Sequence, residues 1–274
     1  MADESKIPAP LAGSERDRLR QTFGIDAELY DRMRPNYPAE MFEDLAEIAG
    51  IGPGCRVLEI GPGTGQATLP LARRGCELIG VELSPRLAEV ARRKTARFAD
   101  VSIEVAAFEY WPLPAEPFDV VVSASAFHWI DPDVRVTKAA DALRPGGVLA
   151  TIATHHIAGG TADFFAEVQR CYERWDPATT AAVQLPSANE IPFDSDELDR
   201  SGLFGPVSFR RYEWDATYST DDYRSLLRTY SGHIAMDPND QNGLLGCIAE
   251  LMDDRYGGLI TKRYLTELRV ADRR

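Results

Sequence analysis

Glu59-Ile60-Gly61-Pro62-Gly63-Thr64-Gly65 is the stretch on which the reading of this 274-residue chain turns. Just before it, Val57, Leu58 and Ile60 form a short apolar run of strand type; just after it, Ala67 to Arg74 reads as a helix closed by Gly75. The motif therefore sits where a strand hands over to a helix. Glycines there let the backbone turn tightly and approach a ligand, while the following helix presents N–H groups with no partner inside the helix. Alone, such a loop is equally an ordinary turn or the pyrophosphate loop of a dinucleotide enzyme.

Its neighbours narrow the choice. A dinucleotide fingerprint needs glycine at position 66, where the chain has Gln66. Glu59 lies two residues before the first glycine, where its charge repels a pyrophosphate and attracts a cationic amino acid. Glu82 closes the next strand, 17 residues after Gly65, close to the spacing at which a carboxylate accepts the ribose hydroxyls. Together these residues describe a pocket for a nucleoside with no phosphates and a positively charged tail.

Working outward, the period of the sequence alternates. Strands are expected at Leu78–Val81, Val101–Val105, Phe118–Ser123 and Gly147–Thr154, the last after the turn Arg144-Pro145-Gly146-Gly147. Helices are expected at Pro85–Arg97 and Asp131–Leu143, with an earlier one from Pro38 to Ala49 stopped by Gly50. Strand and helix in turn predict a doubly wound α/β fold with a mainly parallel sheet. Residues 1–13 read as a mobile tail, Ser14 opens a helical stretch bearing Leu19, Phe23 and Leu29, and 14–50 forms an N-terminal helical lid. The core is expected at 51–154 and a helical cap at 155–193, built from a helix over Thr161–Trp175 and a proline-bearing connection from Pro177 to Pro192. Residues 194–274 complete the sheet: helices at Asp194–Ser201, Asp221–Tyr230 and Asn239–Tyr256, and strands at Val207–Tyr218 and Leu259–Val270 forming an antiparallel pair at the edge.

On these residues the chain resembles the class I S-adenosylmethionine-dependent methyltransferases, and within them the small-molecule branch of trans-aconitate and ubiquinone/menaquinone type. The family's first motif, E/D-x-G-x-G-x-G, is met by Glu59, Gly61, Gly63 and Gly65; its ribose acid matches Glu82, followed by Leu83-Ser84. The segment Ser123-Ala124-Ser125-Ala126-Phe127-His128-Trp129 and the turn Leu143-Arg144-Pro145-Gly146-Gly147-Val148-Leu149 also fit. The resemblance implies a seven-stranded Rossmann-like sheet and S-adenosylmethionine as cofactor, leaving as S-adenosylhomocysteine. It implies cofactor contacts at Glu59, Gly61, Pro62, Gly63, Thr64, Gly65, Gln66, Glu82, Leu83 and Ser123. Where relatives place an Asp for the adenine amino group this chain has Ala107, so adenine is expected to meet backbone groups and the ring of Phe108, with Glu109 an alternative acceptor. The stretch Tyr30-Asp31-Arg32-Met33-Arg34-Pro35-Asn36-Tyr37-Pro38 looks like the family's lid, which assigns Tyr30 and Arg34 to the cofactor and Tyr37 to the substrate.

Methyl transfer from a sulfonium is an in-line displacement, served mostly by positioning and desolvation; a base is needed only if the acceptor arrives protonated. Candidate bases are His128, after the fourth strand, and His155 and His156, after the fifth; adjacent residues of an extended segment point to opposite sides, so at most one of the pair faces the substrate. Trp129, Phe165, Tyr230 and His233 are candidate acceptor contacts. Between residues 155 and 193 the only arginines are Arg170 and Arg174, which favours an apolar or aromatic acceptor of secondary metabolism, methylated on O, N or C, over a polycarboxylate. C-methylation of a prenyl double bond, methylation of a small carboxylic acid and a non-catalytic S-adenosylmethionine-binding module stay open alternatives.

Composition sets the outer bounds. With 43 acidic against 30 basic residues the net charge of −13 repels nucleic acids and anionic membranes. The opening MADESKIPAP lacks a secretory h-region and no stretch reaches the length of a membrane span, so a cytoplasmic protein acting on small molecules is expected, with self-association open. Four lysines among the 30 basic residues fit a GC-rich bacterial genome. Cys55, Cys76, Cys171 and Cys247 show no C-x-x-C pair and no nearby histidine, so free thiols and no metal are expected.

Overall fold

A computed structural model describes residues 13–20, 22, 24–176 and 184–274. The expected tail, apart from Gly13, together with Phe23 and residues 177–183 of the proline-bearing connection, lies outside the described residues. The chain divides into two compact units.

The larger unit comprises Asn36–Ala153, Phe193–Tyr212 and Thr266–Arg274. Helix α3 (Ala39–Ala49) precedes the alternating series β1 (Arg56–Ile60), α4 (Thr68–Ala72), β2 (Glu77–Glu82), α5 (Pro85–Thr95), β3 (Val101–Val105), β4 (Phe118–Ala124), α6 (Pro132–Ala142) and β5 (Leu143–Ile157). After α9 (Asp196–Ser201), β6 (Ser208–Ser219) and β7 (Leu259–Asp272) complete a seven-stranded sheet of order β3-β2-β1-β4-β5-β7-β6. Strands β3, β2, β1, β4 and β5 pair in parallel, each with its neighbour. Along β6 and β7, Ser208 meets Val270 and Thr217 meets Thr261, so this last pair runs antiparallel at the sheet's edge.

Alternation along β4 shows how the sheet is covered. Val120 and Val122 join Met41, Leu45, Leu71 and Leu78 in one apolar cluster, whereas Val121 joins Leu58, Phe118, Val136 and Ala139 in another. The period of two sends successive side chains to opposite faces, and each fully buried Val or Leu contributes about 1.5–3 kcal/mol. Ser84 and Asp131 cap α5 and α6 with side-chain acceptors followed by proline, and Gly50 ends α3 in the left-handed conformation.

The turn expected at Arg144–Gly147 is instead a bulge inside β5. Phe118 pairs with Leu143 and Val120 with Val148, while Gly146 and Gly147 exchange backbone hydrogen bonds with Arg273, the residue just after β7. The chain-distant segment that follows β7 satisfies groups that would otherwise need a turn. β5 also runs past Thr154 to Ile157, so His155 and His156 lie within a strand, not beyond one.

The second unit comprises Met1–Pro35, Thr154–Pro192 and Glu213–Leu265. It holds α1 (Gly13–Arg20), α2 (Ala27–Met33), α7 (Ala162–Glu167), α8 (Gln169–Trp175), α10 (Thr220–Leu227), α11 (Ser231–Ile234) and α12 (Pro238–Tyr256). The single helix expected over Thr161–Trp175 is thus broken at Val168, and that over Asp221–Tyr230 stops at Leu227. Phe164, Tyr172, Tyr223, Leu244, Ile248 and Met252 form its core.

The expectation of four free thiols is corrected here: Cys171 of α8 and Cys247 of α12 form a disulfide, with Cα atoms 5.8 Å apart, while Cys55 and Cys76 are free and buried. Packing of the two helices explains it. A Cβ on Gly243 would collide with the Trp175 ring, so glycine lets α12 approach α8 closely enough for the sulfurs to meet. A separation of 76 residues leaves no trace of this pairing in local spacing.

Candidate functional site

The glycine loop follows β1 in the larger unit. Gly61, Gly63 and Gly65 all have positive φ, at 69°, 58° and 86°. At Gly61 a Cβ would stand 2.5 Å from that of Ala126, so glycine is required both by conformation and by the close approach of the segment after β4. Glu82, at the end of β2, accepts from the Gly63 backbone N–H through one carboxylate oxygen (2.9 Å) and from the Ser84 N–H through the other (2.8 Å). It ties the loop to the start of α5.

Glu59 is 1% exposed, and its Oε2 has no hydrogen-bond partner. Burial, opposed by the Thr68 hydroxyl and reinforced by the charge of Glu82, pushes its carboxyl up to about 7. An unsatisfied buried carboxylate oxygen is costly, and a cationic group placed beside it would lower that cost. Gln66 is similar: its carbonyl accepts from Thr64, while its Nε2 is buried without a partner.

Ser123 is buried, and its hydroxyl donates to the Ile60 carbonyl, joining β4 to β1. Ser125, a residue not singled out in the sequence beyond its place in the family segment, has φ 52° and accepts from the Tyr37 hydroxyl at 3.1 Å. Left-handed backbone at a non-glycine residue is strained and gathers at functional sites. The Tyr37 ring itself packs edge-on against Phe42. His128 lies in a single turn, Phe127–Trp129, exposed and 5.1 Å from the Trp129 ring.

The expected stacking of adenine on Phe108 is corrected. That ring is 2% exposed in the core, with the Lys138 ammonium 5.4 Å over it, so no face is open. Exposed apolar surface at the ends of β2 and β3 comes instead from Leu83 and Val105. Ala107 opens a turn, its carbonyl accepting from the Tyr110 and Trp111 N–H groups, and Glu109 accepts from the Asp131 N–H.

The second unit gathers several of the other candidates around Tyr230. The Arg34 guanidinium lies 4.5 Å from the Tyr230 ring centre and 5.0 Å from that of Tyr30. Lys262 of β7, only 4% exposed, donates to the Tyr230 hydroxyl at 3.3 Å and lies over the Tyr264 ring. His156 packs against Phe165 and Tyr264, with ring centres at 4.5 and 6.0 Å. His155 is buried and His156 half-buried, as alternation along a strand requires. Burial and then the Lys262 charge hold His156 down to about 2, so near neutrality it is an uncharged imidazole and a weak base. His233 is buried too, its Nε2 bonded to the Tyr172 hydroxyl at 3.1 Å, which makes it a packing residue of α8 and α11. Lys262 was missed because a lone lysine in a β-rich run carries no local signal.

Comparison with known proteins adds a family. Residues 58–151, from β1 through β5, match the methyltransferase domain family. Over 233 residues the chain is 26% identical to demethylmenaquinone methyltransferase of Tropheryma whipplei, covering 78% of this chain and 92% of the relative. Residues 58–151 are thus a methyltransferase domain, the part of the chain that carries the glycine loop. An uncharacterized methyltransferase of Mycobacterium tuberculosis is 34% identical over 139 residues, or 51% of this chain; the chain spans about half, 54%, of that relative's length. A solved N-methyltransferase of Haemonchus contortus, holding S-adenosylhomocysteine and phosphomonomethylethanolamine, superposes with a TM-score of 0.53 at 20% identity, covering 97% of this chain and 61% of that one. The chain thus shares the fold of that structure, and its glycine loop and Glu82 fall inside the matched methyltransferase domain. Among the described residues no group of His, Cys, Asp or Glu is arranged to hold a metal, and no helix is long and apolar enough to cross a membrane.

Proposed function

We propose that this protein transfers a methyl group from S-adenosylmethionine to a small acceptor containing an apolar or aromatic body. The observation that carries the reading is the buried Glu59 oxygen left without a partner beside a glycine loop that Glu82 pins through backbone N–H groups. These residues fit the cofactor: Glu59 suits a cationic amino acid, the acceptor-only carboxylate of Glu82 suits ribose hydroxyls, and Leu83 and Val105 offer apolar surface to a base. S-adenosylmethionine, when bound, supplies the electrophilic methyl group. The chain's part is to hold and orient, because a displacement at a sulfonium gains most from positioning and exclusion of water. His128, exposed beside Trp129, is the candidate we favour for taking a proton from an acceptor that arrives protonated. The net charge of −13 supports a small-molecule acceptor over nucleic acid.

Calorimetry with S-adenosylhomocysteine tests the cofactor assignment. Glu82→Ala is expected to weaken binding by about 10- to 100-fold, the loss of one or two charge-assisted hydrogen bonds. Near-native affinity in that variant, or preference of the wild type for a nicotinamide dinucleotide, would contradict it. An acceptor screen with labelled cofactor, read by mass spectrometry of the methylated product, then identifies the acceptor.

A further inference from the structure

Between the chain that follows β3 and helix α6 lies an open groove of about 530 Å³, within the larger unit. Tyr110, Pro112 and Leu113 form one wall; Asp133, Thr137 and Asp141, exposed and spaced four residues apart on one face of α6, form the other. Tyr110 is 88% exposed, although the turn that carries it is held from both sides. The Tyr110 and Trp111 N–H groups donate to the Ala107 carbonyl at 3.0 Å, and the Trp111 indole N–H donates to Glu104 at 2.6 Å. Lys138 of α6 donates to the Glu109 and Trp111 carbonyls, at 3.0 and 2.6 Å, and so ties the two walls together. A fixed backbone thus presents the ring to solvent, which lowers the ordering cost of binding there.

The open charge of the groove has one sign. Lys138 also lines it, but its ammonium is turned onto those backbone carbonyls. Asp133 and Asp141 pair with no arginine or lysine among the described residues. Asp141 moreover stands in the last turn of α6, which holds no basic residue, and there the helix dipole disfavours a negative charge. A cation from outside the chain would relieve both acids.

Their spacing sets the shape of that cation. Eight residues of helix place the two carboxylates about 12 Å apart, and a chain in the polyproline conformation covers about the same distance in four residues. Such a segment brings one basic side chain to each acid and lays its middle residues on Tyr110, Pro112 and Leu113, while the open Tyr110 face also accepts a guanidinium.

We propose that this groove docks an extended, proline-bearing segment of a partner protein whose basic residues stand at positions i and i+4. Asp133 and Asp141 receive the two cations, and Tyr110 with Pro112 receives the prolines between them.

The test is fluorescence polarisation of the intact protein, at low ionic strength, with labelled Arg-Pro-Leu-Pro-Arg. The permuted peptide Pro-Leu-Pro-Arg-Arg, equal in charge and composition, and spermidine as competitor are the controls. The first peptide is expected to bind about threefold more tightly than the permuted one, the worth of one exposed ion pair. Asp141→Asn is expected to remove that difference without loss of stability, since it relieves the helix dipole. Tyr110→Ala is expected to weaken binding of the first peptide about five- to tenfold. Equal binding of the two peptides shows only the general attraction of an acidic chain and overturns the proposal, as does binding undiminished in both variants or no binding. Spermidine displacing the peptide at a lower concentration than the unlabelled peptide itself also overturns it, in favour of a small polyamine.

Discussion

The glycine loop and the aromatic cluster are built by opposite means. The loop draws its parts from one βαβ stretch and holds them through backbone N–H groups, as Glu82 does with Gly63 and Ser84. The cluster draws Arg34, His156, Tyr230 and Lys262 from four distant segments and holds them side chain against side chain. The contrast teaches that a site made of backbone is limited by conformation, whereas a cluster made of side chains is limited by burial and charge.

The strongest way to break this comparison is Gly61→Ala. Left-handed backbone costs a non-glycine residue about 1–2 kcal/mol and overpacking against Ala126 about 1–3 more, so stability is expected to fall by roughly 2–5 kcal/mol. Affinity for S-adenosylhomocysteine is expected to drop by more than about 100-fold, read by denaturant melts and calorimetry. Near-native values in both would show that the loop is not limited by conformation.

Next in size is Cys247→Ser, which opens the covalent tie between α8 and α12. A loss of about 2–4 kcal/mol is expected, reproduced in the wild type by reductant. A wild type indifferent to reductant, carrying two titratable thiols more than Cys55 and Cys76, would remove the disulfide from the second unit.

The smallest effect sharpens the role of Glu59. Its carboxyl, raised to about 7 in the folded state, is protonated where the unfolded chain's is not. Its contribution to stability is therefore fully present below the ordinary carboxyl range near 4.5 and is lost as pH rises through about 7. A cationic ligand prefers the ionised form, so its affinity runs the other way, rising about tenfold between pH 6 and pH 8 with release of a proton. Glu59→Gln should flatten both slopes; slopes that persist in it would assign the titration to another group.

Much of the larger unit was legible because its signals are local. Proline after Ser84 and Asp131, glycine after Ala49 and the apolar runs of β1, β2 and β4 each act within a few residues of where they stand. The Arg144–Gly147 bulge was read as a turn because its hydrogen-bond partner, Arg273, is far along the chain. Phe108 was read as an open face because sequence cannot tell a ring beside a pocket from one beneath it. The break at Val168 likewise has no glycine or proline to mark it.

From the sequence by itself follow the alternating α/β order, the glycine loop after the first strand, and the two acids Glu59 and Glu82 that flank it, because spacing along one chain brings these groups together whatever the rest does. Only the tertiary structure decided that Cys171 meets Cys247 and that Lys262 and Arg34 share the ring of Tyr230. Pairings over such separations carry no local propensity or period, and arise when distant helices and strands bury their apolar faces together.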